Sequence, residues 1–99
     1  MKIVSVKDKR VRKLVQDPSL TAVKGLDAFQ VKRIAEQIVA IRFMTHPAQL
    51  APLYPNWKPH AWKGRPNVWS LDVTGNWRLV FEVDIPAQEV RFLDLIDPH

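Results

Sequence analysis

Ninety-nine residues, 46% of them hydrophobic, suffice for one compact domain with a buried core and are too few for two, so a single domain over residues 1–99 is expected. The absence of cysteine excludes disulfides, thiolate metal sites and a cysteine nucleophile; with no apolar leader in MKIVSVKDKR and no run near the roughly 18 apolar residues of a membrane span, a soluble cytoplasmic protein without a membrane partner is expected. The net charge of +5 is uneven, since residues 1–65 hold 13 Lys/Arg against 4 Asp/Glu and residues 66–99 hold 2 against 6; the basic part suits RNA, DNA or an acidic protein segment, or is a solvated surface of no special purpose.

Ile3 to Ser5 is short and apolar, which predicts a first strand. Ser5 with Asp8 three residues on is a capping signature for a helix that ends at Asp17-Pro18. Val11, Leu14 and Val15 give that helix an apolar stripe, and Lys7, Lys9, Arg10, Arg12 and Lys13 occupy the remainder. Two readings fit this most basic segment, a solvated helix face or contact with a nucleic-acid backbone. Asp27 as N-cap, with Gln30 at the third position, predicts a long amphipathic helix from Ala28 to about Phe43. Val31, Ile34, Ala35, Ile38 and Ile41 form its buried stripe, and Val39 widens it. From Met44 to Pro59, Pro47, Pro52, Pro55 and Pro59 argue against helix and central strand and predict an extended, stiffened connection. Leu50, Leu53, Tyr54 and Trp57 are expected to pin it to the core or to a partner.

The stretch from His60 to Asp84 organises the rest. A basic loop, His60 to Arg65, leads into two alternating runs, Val68 to Thr74 and Trp77 to Asp84, joined by the turn signal Gly75-Asn76. Period-two alternation puts Trp69, Leu71, Val73, Trp77, Leu79, Phe81 and Val83 on one apolar face, and Ser70, Asp72, Arg78 and Glu82 on the other. Ala87 to Ile96 adds a further strand, apolar enough to lie centrally. The order predicts an α+β domain: a short N-terminal strand and two helices packed on one face of a mostly antiparallel sheet of four to five strands.

The histidines His46, His60 and His99 show no metal-ligand spacing, and no serine elbow or glycine-rich phosphate loop is present, so neither metal nor cofactor is expected. What remains is a metal-free phosphoryl-transfer set: His60, Lys63 and Arg65 on the loop, Arg78 on the facing strand, and Asp97 and His99 at the end of the chain. RNA supplies its own 2′-hydroxyl nucleophile. Such a site needs a base near it, an acid near the leaving 5′-oxygen and fixed cations for the phosphorane, and histidine exchanges protons near neutral pH. The competing reading makes His60 an ordinary loop residue and His99 part of a tail.

HAWKGRPNVWSLDVTGNWRLVFEVD followed by VRFLDLIDPH resembles the plasmid-maintenance killer group, the HigB-type toxins of the RelE/ParE superfamily. That pattern has a His, Lys-Gly, a basic residue, a Trp-Ser strand, a turn with Asn, a Trp-Arg strand and a terminal Asp-Tyr-His. His60, Lys63-Gly64, Arg65, Trp69-Ser70, Asn76, Trp77-Arg78, Asp97 and His99 stand in those places; Pro98 replaces the tyrosine, and the turn from His60 to Trp69 is one residue shorter. The resemblance implies a RelE-like fold and a toxin that cleaves mRNA in the A site of the 70S ribosome, silenced by a HigA-like helix-turn-helix antitoxin in a heterotetramer or larger complex. It implies that His60 and His99 transfer protons, that Lys63 and Arg78 bind the scissile phosphate, that Asp97 orients a neighbour or shares in proton transfer, and that Arg65 contacts phosphate. The basic first helix would grip ribosomal RNA. Sister branches poison gyrase, so a non-nuclease toxin acting on a protein target, or an inactive RNA- or antitoxin-binding module, stays open beside it.

Overall fold

The computed structural model describes residues 1–97, and its two long helices begin where carboxylates hold free amide groups. In α2, Ala28–Phe43, the Asp27 carboxylate accepts from the Gln30 amide at 2.8 Å while the Gln30 side chain accepts from the Asp27 amide at 3.0 Å, the reciprocal cap the sequence predicts. In α1, Lys9–Gln16, the cap is Asp8 rather than Ser5: its carboxylate accepts from the Arg10 and Val11 amides at 2.8 and 3.1 Å. The helix stops at Asp17, before Pro18.

Val11 and Leu14 of α1, with Val31, Ile34, Ile38 and Ile41 of α2, are buried against Leu71, Leu79, Phe81 and Leu93 of the sheet. Removing each such side chain from water contributes about 1.5–3 kcal/mol. The stripe differs from the expectation at two positions. Val39 lies about a quarter turn past Ile38 and is 42% exposed, whereas Gln37, on the buried side, is fully enclosed. The reason is a polar contact across the layers: the Gln37 amide donates to the Asp72 carbonyl at 2.8 Å.

The strands β1 (Lys2–Ile3), β2 (His60–Trp62), β3 (Arg65–Asp72), β4 (Arg78–Asp84) and β5 (Glu89–Ile96) form one sheet in the order β1-β5-β4-β3-β2. It is a mixed sheet, not the mostly antiparallel one expected. β2 through β5 pair antiparallel, but β1 pairs parallel with β5, and Val6 bridges Leu93 in the same sense. The N-terminal segment enters alongside Glu89 and follows β5 before turning into α1, and a two-residue strand carries no pattern that reveals this direction.

Two further expectations are corrected. The segment from Met44 to Pro59 is not extended. It winds into the short helix α3, Leu50–Leu53, between 3-10 turns at Pro47–Gln49 and Pro55–Trp57, each with proline at its start, where the missing amide costs no hydrogen bond. It is pinned as expected by Leu50 and Trp57, which are buried, while Leu53 is 69% exposed. The basic loop His60 to Arg65 is itself a hairpin: Trp62 pairs with Arg65 across Lys63-Gly64, and Gly64 adopts the left-handed φ of +77° that this turn needs.

The buried apolar side chains of α1 and α2 belong to one cluster with one face of the sheet, and Leu50 of α3, a helix the sequence did not lead one to expect, joins it. The other face presents Ser70, Asp72, Arg78, Glu82 and Asp94, and no helix covers it among the described residues. No helix is long and apolar enough to cross a membrane.

Candidate active site

His60 opens β2 directly opposite Ser70. Its Nδ1 lies 2.8 Å from the Lys58 carbonyl, and its Nε2 lies 3.3 Å from the Ser70 hydroxyl. A carbonyl only accepts, so Nδ1 donates to Lys58; Nε2 accepts from the Ser70 hydroxyl whenever it carries no proton of its own. Lys58 directs its carbonyl from a left-handed backbone, φ +46° and ψ +55°, which a non-glycine residue adopts at a cost of about 1–3 kcal/mol. Ser70 is 2% exposed, whereas the His60 ring stands at the surface. The imidazole is thus oriented from both sides and remains reachable.

Arg78 opens β4, one row further along the sheet. Its Nε meets Asp72 Oδ1 at 3.0 Å, and its Nη1 donates to the carbonyls of Gly75 and Trp77 at 3.1 and 3.4 Å. These contacts do not involve Nη2. The row is fixed from behind by α2: besides Gln37 on the Asp72 carbonyl, Arg33 donates to the Val73 carbonyl at 3.3 Å and Gln30 to the Thr74 hydroxyl at 3.4 Å. Ile96 is the cross-strand partner of Arg78, so the chain brings Asp97 to the same end of the sheet. His99, which sequence reasoning placed here, lies outside the described residues.

Lys63 sits on the β2–β3 turn, three residues from His60. Arg65 and Arg78 do not converge: they stand at opposite ends of β3, about 20 Å apart at a strand rise of about 3.3 Å per residue. Cations therefore flank His60 along the open face. In the first basic segment Lys9, Arg12 and Lys13 are exposed; Lys7 stacks over Phe92 at 5.8 Å, and Arg10 lies 5.5 Å over Trp77. Arg10 is also committed to Asp8 at 2.7 Å. Burial pushes the Asp8 carboxyl up, but hydrogen bonds from the Arg10 side chain and the Val11 and Arg10 amides outweigh it and hold the group below the usual carboxylate range. The same contact raises Arg10.

Sequence reasoning missed Lys58, Ser70 and Asp72 as supports of His60 and Arg78, although the period-two pattern had already put Ser70, Asp72 and Arg78 on one face. It also missed Phe92. In β5, Glu82 pairs with Arg91 but Val80 pairs with Asp94, so one extra residue bulges the strand. Phe92 takes a left-handed φ of +56° and is 49% exposed beside Lys7; the signal was the broken alternation of Arg91-Phe92-Leu93. Among the described residues no group of three or more His, Asp or Glu side chains is placed to hold a metal ion. No protein-family model matches the chain, and no curated protein matches it.

Proposed function

We propose that this domain is a RelE-like, HigB-type toxin: a ribosome-dependent endonuclease that cuts mRNA through attack of a 2′-hydroxyl on the adjacent phosphate. The observation that carries the reading is His60, held by the Lys58 carbonyl at 2.8 Å and by Ser70 at 3.3 Å on an uncovered sheet face flanked by Lys63 and Arg78. Nε2 has one lone pair, so for the reaction the ring must exchange its contact with the buried Ser70 hydroxyl for one with the 2′-hydroxyl. In the reaction the 2′-oxygen bonds to phosphorus, its proton passes to His60 Nε2, and the bond to the 5′-oxygen breaks, leaving a 2′,3′-cyclic phosphate and a 5′-hydroxyl. The Lys58 carbonyl continues to accept from Nδ1 and stabilises the imidazolium that forms. Arg78, through Nη2, offsets the charge on the phosphorane, and Lys63 and Arg65, toward the other end of β3, hold neighbouring phosphates. The proton for the leaving oxygen is assigned to His99 with Asp97, on the family resemblance alone.

The helix side gives the antitoxin its place in this reading. Phe43 is 85% exposed and, with Val39, Leu53 and Tyr54, lines a hollow of about 480 Å³. An amphipathic helix that lays its apolar side on these residues is the partner this reading assigns to the hollow. The same apolar surface favours a second reading, a toxin that acts by binding a protein and cuts nothing.

The test is cleavage of a reporter mRNA in a reconstituted translation system, with wild type and with folded His60→Ala, Lys63→Ala and Arg78→Ala variants. The nuclease reading expects cuts within the reading frame that need the ribosome and fall at least about 100-fold for His60→Ala. Intact mRNA with arrested growth would transfer the assignment to the protein-binding reading.

A further inference from the structure

Beyond His60, the open face holds a groove of about 380 Å³ whose composition is not that of a simple phosphate site. One wall is Trp62, with the Arg65 guanidinium 5.9 Å from its ring; the other is Phe92, with the Lys7 ammonium 5.8 Å from its ring. Between them Val68, Val80 and Ile96 make an apolar floor, and the carboxylates of Glu82 and Asp94 face the same space. Phe92 reaches the groove only because the β5 bulge holds it at φ +56°, with its amide donating to the Ser5 hydroxyl at 2.8 Å. A strained, exposed aromatic ring on a bulge is a side chain re-aimed toward a ligand.

We propose that this groove receives one base of the RNA, stacked on Trp62 or Phe92, and selects bases that carry an exocyclic amino group; the proposal rests on the ribonuclease reading above. Glu82 pairs with Arg91 across the strands and Asp94 lies within the field of Arg10, so each carboxylate already has a cation near it; both still accept, and on an RNA-binding face a base that donates suits them better than a phosphate does. An ionised carboxylate only accepts hydrogen bonds. Cytosine, adenine and guanine each offer an amino group, whereas uracil offers only its N3–H, flanked by two carbonyl oxygens that the same carboxylates repel, and is disfavoured. Asp94 Oδ1 already accepts from the Leu95 amide at 2.9 Å, which fixes the carboxylate and leaves Oδ2 outside that bond. Lys7 and Arg65, one at each wall, hold the flanking phosphates while the rings supply sequence-tolerant stacking. Rejection of uracil is then the specific contribution of Glu82 and Asp94.

The experiment measures binding of labelled oligo-rC, oligo-rA and oligo-rU hexanucleotides to the full chain carrying His60→Ala, which prevents cutting, with and without Glu82→Gln and Asp94→Asn together. The proposal expects oligo-rC and oligo-rA to bind about ten-fold more tightly than oligo-rU, and the paired substitution to reduce that ratio to about two-fold or less, because an amide also donates to uracil. All three affinities rise together as two negative charges are removed, so the ratio is the readout. Trp62→Ala and Phe92→Ala weaken all three alike. Equal affinity for oligo-rU, or a ratio unchanged by the paired substitution, overturns the base assignment while leaving the ribonuclease reading intact. Absence of binding by every oligonucleotide overturns the groove as an RNA site, while the ribosome-dependent cleavage is decided separately by the translation assay above. Saturable binding of an oligolysine peptide that the paired substitution abolishes, without RNA binding, assigns the groove to a basic protein segment.

Discussion

Gln37 offers a calculation that links the core to the site. Its side chain is fully buried; Nε2 donates to the Asp72 carbonyl at 2.8 Å, and Oε1 has no hydrogen-bond partner among the described residues. Gln37→Leu removes the donor and orphans a buried carbonyl, which costs about 1–3 kcal/mol, but it also removes a buried orphan acceptor of similar cost and keeps most of the volume. The two terms nearly cancel, so Gln37→Leu is expected within about 1 kcal/mol of wild type. Gln37→Ala suffers the same loss and opens a cavity, and is expected to be less stable by a further 2 kcal/mol or so. For a domain of this size that difference is a melting temperature about 10 °C lower, measurable by calorimetry and by urea titration. Both variants remove one of the three ties between α2 and this row, leaving Arg33 on Val73 and Gln30 on Thr74, and should reduce cleavage through Arg78. A loss of about 2 kcal/mol or more for Gln37→Leu would refute the reasoning, since the hydrogen bond would then dominate and Oε1 would carry no penalty; equal stability of the two variants would mean that no cavity cost arises.

Asp8 sets an acid-side dependence. Its folded carboxyl titrates below its unfolded value, so its contribution is present above the unfolded pKa and is lost as pH falls through the folded one; Asp8→Asn should flatten the stability profile below about pH 4 and lower it by a constant amount above that. Asp27→Ala, which breaks the reciprocal cap of α2, should cost about 1 kcal/mol in chemical denaturation. Phe92→Gly relieves the left-handed backbone and loses a half-exposed ring, so stability should stay within about 1 kcal/mol. Replacing Lys9, Arg12 and Lys13 together by Gln should lower the slope of log affinity for ribosomal RNA against log salt by about two to three, and an unchanged slope would return α1 to a solvated face.

The parts legible in the sequence are those where one local rule acts alone. Asp27 with Gln30, the Asp17-Pro18 stop, the Gly75-Asn76 turn and the alternation of β3 and β4 all appear in the structure as read. The misreadings fall where a rule admits two outcomes. Proline excludes helix interiors but favours first turns, which hid the helical turns between Met44 and Pro59. A three-residue strand ending in a tight turn resembles a basic loop, which hid β2 and the seat of His60. Gln37 reads as polar until its partner, the Asp72 carbonyl, is known, and that partner is 35 residues away. The site was legible as a face but not as a set of distances: Ser70 and Asp72 were grouped with Arg78, while their contacts to His60 and Arg78 depend on register and rotamer.

The most direct test of the central claim is the chemistry of the ends left on mRNA cut by this chain on the ribosome, read by mass spectrometry of the fragments. Attack by the 2′-hydroxyl with His60 as base predicts a 2′,3′-cyclic phosphate on the upstream fragment and a 5′-hydroxyl on the downstream one, both absent with His60→Ala. A 3′-hydroxyl paired with a 5′-phosphate would mean that water attacked instead, and would contradict the assignment of His60.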